Sequence, residues 1–273
     1  MGSGINEKIR HNYEVEREIA DKLRNSTAEE RRTLYTSAYD ELFTRLPDNP
    51  QLKPASETQK KKDLAKHLLN LEGLIDKDTI FVEIGPGDCS LSLEIAKRAG
   101  HVVAVDVSNE ITKHQGAPEN FELILSDGSA IPVPAASTDV VYSDQLMEHL
   151  HPDDSLKQLK NIYQALKPGG IYFCITPNRL SGPHDVSRYY DDVATGLHLR
   201  EYTVTELDKI FRESGFSKTR VFFRLNGMVA FLPVFPYRVI ESMLAVLPHA
   251  LRKLLTHNKV ATFLLGVKLV ATK

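Results

Sequence analysis

Three kinds of residue are spaced for chemistry in this chain: glycines after an apolar run, carboxylates at the ends of apolar runs, and histidines in the second half. Residues 81–90 read Phe-Val-Glu-Ile-Gly-Pro-Gly-Asp-Cys-Ser. The run Thr79–Ile84 ends in two glycines one residue apart, and Leu91, Leu93, Ile95 and Ala96 follow at helical spacing. This pattern predicts a strand that turns over glycine into a helix whose free N–H groups face a ligand. Glycine is required where no Cβ can stand between backbone and ligand. A second apolar run, His101–Val105, ends on Asp106, placed to accept hydrogen bonds from the two hydroxyls of a ribose. The pair Asp127-Gly128 ends a third run, and Ser143-Asp144-Gln145-Leu146-Met147-Glu148-His149 ends a fourth. In a helix beginning at Asp144, Gln145, Glu148 and His149 fall at i, i+3 and i+4 on one face, a metal or acid–base constellation. His184 and His198 stand in a polar, aromatic stretch with Arg188 and Arg200. Histidine suits removal of a proton from a hydroxyl because its ordinary pKa lies near neutrality.

Two details turn the glycine loop away from a nicotinamide dinucleotide. The third glycine of that fingerprint is Ser90, and Glu83 stands two residues before the first. A buried carboxylate repels a pyrophosphate and attracts an ammonium. A ligand with adenine, ribose and an amino-acid tail fits, which is S-adenosyl-L-methionine. Glu83-Ile84-Gly85-Pro86-Gly87, then Asp106, then Asp127-Gly128, then Leu166-Lys167-Pro168-Gly169-Gly170 resemble the class I S-adenosylmethionine-dependent methyltransferases, over about residues 65–225. The resemblance implies that Glu83, Gly85, Pro86, Gly87 and Asp88 surround the amino-acid tail. It puts Asp106 on the ribose, with Val107 beside the adenine. Asp127, followed by Gly128, accepts from the adenine amine, and Ser143 and Asp144 lie at the strand end that faces the transferred methyl. Ser-Asp-Gly at Asp127 is also good turn chemistry in its own right. The Gln145–His149 segment resembles the Glu-x-x-Glu-His of ubiquinone-biosynthesis O-methyltransferases, where such residues can bind a divalent cation. Gln145 replaces the first carboxylate here, so no metal is expected. His149, and after it His198 and His184, are the candidate bases.

These residues need a scaffold. Strands are expected near 79–84, 101–106, 121–126, 139–143, 170–176, 218–224 and 261–271, with helices between them. The fold class expected is α/β: a Rossmann-like, doubly wound, mainly parallel seven-stranded sheet with helices on both faces. A helical cap over residues 1–62 precedes the methyltransferase domain at 63–273. Thr27-Ala28-Glu29-Glu30 reads as a capping box that starts a helix near Ala28, running to about Arg45, and Leu46-Pro47-Asp48-Asn49-Pro50 breaks it. A second capping box, Thr203-Val204-Thr205-Glu206, starts another helix, which Gly215 stops. Two segments exceed what the sheet needs: a lid-like connection at 177–202 and an apolar, helix-rich insert at 226–259 before the last strand. Phe231, Phe235, Ile240, Met243, Leu244 and Leu247 must cover the acceptor pocket, a second subunit or a lipid surface, because so large an apolar patch would not be left exposed. The expectation is that the insert helps to roof the acceptor site together with the N-terminal helices and the 177–202 connection.

Composition narrows the partners. Among 273 residues, 42% are hydrophobic, enough for a full core, and the formal net charge of −2 gives no basic surplus for nucleic acid. Cys89 and Cys174 are the only cysteines and read as core residues, which suits a reducing cytoplasm. No run reaches the length of a membrane span, and membrane contact is not expected. The expectation is a cytoplasmic enzyme that methylates a small molecule, first of all at a hydroxyl oxygen, with a homo-oligomer left open. N- or C-methylation, a nicotinamide-dependent oxidoreductase and a non-catalytic cofactor-binding partner protein are the alternatives.

Overall fold

A computed structural model describes residues 2–49, 56–108, 117–225 and 227–273. Pro50, in the expected helix break, and Asn226, the expected start of the insert, lie outside the described residues. Three helices come first: α1 (Gly2–Asn25), α2 (Ala28–Arg45) and α3 (Glu57–Asn70). The Thr27 hydroxyl accepts from the Glu30 N–H, and the Glu30 carboxylate accepts from the Thr27 N–H, so α2 starts where its capping box predicts. α3 runs through the domain boundary expected at residue 62.

The sheet contains β1 (Ile80–Ile84), β2 (His101–Asp106), β3 (Phe121–Leu125), β4 (Thr138–Asp144), β5 (Leu166–Thr176), β6 (Lys218–Leu225), β7 (Met228–Pro233) and β8 (Val267–Thr272), in the order β3-β2-β1-β4-β5-β8-β6-β7. The pairs among β1 to β5 are parallel, whereas β8 runs antiparallel to β5 and β6, and β7 antiparallel to β6. Helices α4 (Ser90–Ala96), α5 (Pro152–Ala165) and α6 (Val204–Glu213) connect the strands. Alternate residues of the central strands enter two cores. Val82, Val103, Val141 and Tyr172 pack under α5, α6 and the two N-terminal helices. Phe81, Val102, Val140 and Phe173 pack with Leu71, Leu91 and Ile95 on the opposite face. Cys89 and Cys174 are buried and unpaired.

The sheet corrects the sequence reading in two places. It has eight strands and is mixed, not seven. The added strand, β7, forms a hairpin with β6, in which Leu225 pairs with Met228 and Gly227 takes a φ of +83°. A glycine in the left-handed region suits a tight hairpin connection. Residues expected to open the last strand are helical instead, so the insert reads β7, α7 (Phe235–Ala245), α8 (His249–Thr256) and α9 (Lys259–Leu265).

Buried charges dock the outer elements. The Arg31 guanidinium on α2 donates to both carboxylate oxygens of Asp154 on α5 at 2.5 and 3.3 Å, and the Tyr35 hydroxyl donates to Asp154 at 2.8 Å. On α7, buried Glu241 accepts from the Val204 N–H at 2.7 Å, the Thr205 N–H at 2.9 Å and the Asn178 amide at 3.1 Å. A carboxylate there complements the positive end of α6 and fixes which face of α7 is turned inward.

Candidate active site

The ends of parallel strands leave their last carbonyls and side chains over a crevice, and here the crevice is a cavity of about 770 Å³. β1 delivers Glu83, and the turn after it delivers Gly85, Pro86, Gly87 and Asp88. Gly85 and Gly87 have φ of +69° and +55°, in the left-handed region, so the loop needs glycine for its backbone as well as for access. β2 delivers Asp106 and Val107, the β3 end delivers Ser126 and Gly128, and β4 delivers Asp144. His149 reaches the same cavity from a short 3-10 turn, Met147–His149. Ten of the candidate residues are therefore brought together.

Four are not among the lining residues. Asp127 is taken up by its own turn: its Oδ1 accepts from the Ser129 and Ala130 N–H groups at 3.0 and 2.8 Å, and Arg32 approaches its other oxygen at 3.4 Å. The turn thus uses one of the two carboxylate oxygens of Asp127. Ser143 is fully buried, its hydroxyl 2.7 Å from that of Tyr172. His184 is turned away, its Nε2 within 3.1 Å of the Ser181 hydroxyl and the Asn178 carbonyl. His198 stands behind His149 in edge contact, ring centroids 4.9 Å apart.

The expected helical face at Gln145 does not form. Gln145 has a φ of +54°, its amide lies 3.3 Å from Asp144, and it lines the cavity with His149. His198 approaches Glu148 and His149 from the 177–202 connection. Single ligand atoms of Glu148, His149 and His198 lie within 4.8 Å of one another, a set that could hold a divalent cation. The Thr176 hydroxyl donates to Glu148 Oε2 at 2.7 Å, whereas Oε1 has no hydrogen-bond partner among the described residues.

Several lining residues escaped the sequence reading. Tyr35, Tyr39 and Phe43 close the cavity from α2, and Lys60, Asp63, Leu64 and His67 line it from α3. The α3 set repeats at i, i+3, i+4 and i+7, a one-face spacing that could have found it. His67 Nδ1 lies 2.8 Å from the Tyr142 hydroxyl and 3.3 Å from Asp144. Neither the 177–202 connection nor the insert lines the cavity, so the roof comes from the N-terminal helices. The connection lies against α1 instead, with Tyr13 donating to Asp191 at 2.7 Å and Arg24 to the Thr195 carbonyl at 2.9 Å.

Burial sets the protonation of the site. Glu83 is pushed up to about 8 by desolvation, against the hydrogen bond from Ser92 that favours its charged form. Asp106 is also raised by burial, although its Oδ1 accepts from the Val107 and Ser108 N–H groups. His149 is driven down to about 3, first by burial and then by the charge of His198. His149 Nδ1 lies 3.1 Å from the Leu197 carbonyl, which can only accept, so Nδ1 carries the proton and the Nε2 lone pair is left available. Burial works against charge on His198 too, but the Glu201 hydrogen bond at 2.7 Å and the Glu148 charge raise its pKa above the ordinary value.

Comparison with known proteins decides the family. A family model described as a methyltransferase domain matches residues 29–221. The chain belongs to the class I S-adenosylmethionine-dependent methyltransferases. A probable S-adenosylmethionine-dependent methyltransferase of Mycolicibacterium smegmatis is 29% identical over 136 residues, 50% of this chain and 51% of that protein. A protein of the same name in Mycobacterium tuberculosis is 29% identical over 136 residues, 47% of its length. The chain thus spans about half the length of these curated relatives. Among solved structures, a SAM-dependent methyltransferase from Archaeoglobus fulgidus aligns with a TM-score of 0.51 at 20% identity, covering 80% of this chain and 95% of that one. A phosphoethanolamine N-methyltransferase 2 of Haemonchus contortus aligns with a TM-score of 0.52 at 17% identity, covering 81% of this chain and 54% of that one. Both similarities support the fold of the methyltransferase.

The cofactor of the family is S-adenosylmethionine, and the buried Glu83 fits it. A carboxyl held neutral by desolvation needs a cation to ionise, and the amino-acid tail carries one. Below about pH 8 Glu83 is protonated in the free protein; an ammonium beside it favours the carboxylate, so binding releases a proton. Cofactor affinity should therefore rise between about pH 5 and pH 7, with close to one proton released per site at pH 7. Calorimetry in buffers of different ionisation enthalpy measures this release. Glu83→Gln should abolish it, and equal release by the wild type and this variant would show that Glu83 does not face the ammonium.

Proposed function

We propose that the protein transfers a methyl group from S-adenosylmethionine to a hydroxyl of a small molecule, with His149 as general base. The observation that carries this reading is that His149, its Nδ1 held by the Leu197 carbonyl and its Nε2 left as the basic nitrogen, lines the same cavity as Glu83 and Asp106. When bound, the cofactor supplies an activated methyl on a cationic sulfur that leaves neutral after in-line displacement. The Glu83 carboxylate and the Gly85–Gly87 backbone hold its amino-acid tail, and Asp106 holds the ribose, with Val107 beside the adenine. Tyr35, Tyr39 and Phe43 exclude water from above. His149 accepts the hydroxyl proton at Nε2 as the new O–C bond forms. The imidazolium produced leaves the net positive charge of the site unchanged, which offsets the cost that burial places on a charged His149. His198, with Glu201, holds the 177–202 connection against this ring and is a positioning group. No step is routed through a metal.

An amine acceptor is a second reading. A wheat phosphoethanolamine N-methyltransferase 1 is 29% identical over 99 residues, 34% of this chain. Asp63, Asp144 and His67 on the cavity wall could receive a cationic amine. Labelled methyl donor incubated with phenols, hydroxy acids and amines separates the two: label on oxygen is expected, and label confined to amines would replace the first reading with the second. Turnover should survive EDTA. Activity lost to EDTA and restored by one divalent cation would assign Glu148, His149 and His198 to a metal.

A further inference from the structure

The insert carries its apolar residues on the outside. α7 buries Tyr237 and Glu241 on its inner face, whereas Phe235, Val239, Met243 and Val246 recur at i, i+4, i+8 and i+11 as one outward stripe. Phe235 is 71% exposed, Met243 65% and Val246 82%, too open for a packed face. The helix is inverted relative to a soluble one, and the three hydrogen bonds to Glu241 lock it that way. α8 repeats the feature: Leu251, Leu254 and Leu255 are exposed at i, i+3 and i+4. Most of the large exposed apolar side chains among the described residues lie between Leu225 and Leu264, which makes this a patch and not a scatter.

Charge distinguishes the occupants of such a patch. Residues 227–266 contain Arg238, Arg252, Lys253 and Lys259 and only one carboxylate, Glu241, which is buried, although the whole chain has more acids than bases. Arg238 pairs with Asp208, while Arg252 and Lys253 make no ion pair among the described residues, beside the exposed leucines of α8. A two-fold interface would set these cations against their own copies with no exposed carboxylate in the segment to receive them. An anionic lipid surface receives Arg252 and Lys253 and takes up the apolar stripes of short helices. No described helix is long and apolar enough to cross a membrane, so the contact is a surface one.

The patch is also tied to the working edge of the sheet. The chain leaves the sheet at Pro233, the end of β7, and returns at Val267, which pairs with Thr176. Next along, Lys268 pairs with Ile175, whose other partner is Asp144 of the cavity. We infer that residues 227–266 form a docking element for an anionic lipid surface, holding the cavity-bearing edge of the sheet near that surface. The inference stands on the insert alone and holds whichever acceptor is methylated.

Flotation of the full chain with vesicles tests it. Binding is expected to vesicles of phosphatidylcholine mixed with phosphatidylglycerol, weak binding to phosphatidylcholine alone, and release by salt. Met243→Ser with Leu254→Ser should lower the partition by roughly tenfold or more, the scale of apolar side chains no longer buried. Arg252→Glu with Lys253→Glu should remove the preference for the anionic lipid. All four side chains lie outside the cavity, so unchanged cofactor binding and circular dichroism verify that the variants are folded. Absence of flotation would overturn the proposal, as would equal binding by the wild type and both variants. A wild-type dimer that Met243→Ser with Leu254→Ser splits, with no vesicle binding, would assign the patch to a second copy instead.

Discussion

His149→Ala should lower methyl transfer on the order of 10²- to 10⁴-fold and leave cofactor affinity nearly unchanged, the signature of a lost general base. The ring reaches the cavity at the end of the fourth strand, its Nδ1 proton is held by the Leu197 carbonyl, and its Nε2 is free to accept. Because burial keeps the imidazole neutral down to about pH 3, turnover should show no acid limb from this group between pH 5 and pH 8. His149→Asn keeps a side chain of similar reach without a basic nitrogen and should be as slow as alanine. Single-turnover rates with isothermal titration of S-adenosylhomocysteine separate chemistry from binding. Near-normal turnover in His149→Ala would remove the base from this position. His198→Ala and His184→Ala should cost less, because neither side chain lines the cavity.

Arg31→Ala should destabilise the protein by about 3–5 kcal/mol, since it leaves Asp154 as an uncompensated buried charge. Arg31 and Asp154 are 2% and 5% exposed, and the same carboxylate receives the hydroxyl of Tyr35, a cavity residue. The change therefore loosens α2 from α5 and with it the roof over the site. Replacing both partners, Arg31→Met with Asp154→Leu, should recover part of the loss because no charge is stranded. Urea titrations at unchanged m-value measure both. A loss below about 1 kcal/mol for Arg31→Ala would put the pair on the level of an exposed ion pair.

The parts of the site written in local sequence were legible in advance. Glycines after an apolar run and an acid at the end of the next one specify turn and strand end without tertiary help, and β1, β2, α2 and α6 start close to where their signals stand. Turn chemistry is present at Asp127, where backbone N–H groups two and three residues on take up one carboxylate oxygen, as Ser-Asp-Gly predicts. The Gln145 helix failed because the chain turns through a left-handed residue and only then enters a single 3-10 turn, so i, i+3, i+4 spacing no longer shares a face. The approach of His198 to Glu148 and His149 is a contact across some fifty positions that no local pattern encodes. Apolar composition predicted that the insert would be covered by the protein itself. Glu241, a polar residue inside an apolar helix, turned it the other way by capping α6, a long-range pairing that periodicity does not reveal.

Isothermal titration of the free protein with S-adenosylmethionine and with NAD tests the central claim most directly. S-adenosylmethionine should bind at micromolar levels and NAD should not, because the buried Glu83 carboxyl gains by ionising beside an ammonium and a pyrophosphate offers it no cation. In the same cell, Asp106→Ala should weaken binding of S-adenosylmethionine by about 1.5–3 kcal/mol, the scale of a lost charged hydrogen bond. Binding of NAD without S-adenosylmethionine, or an unchanged affinity in a folded Asp106→Ala, would contradict the account.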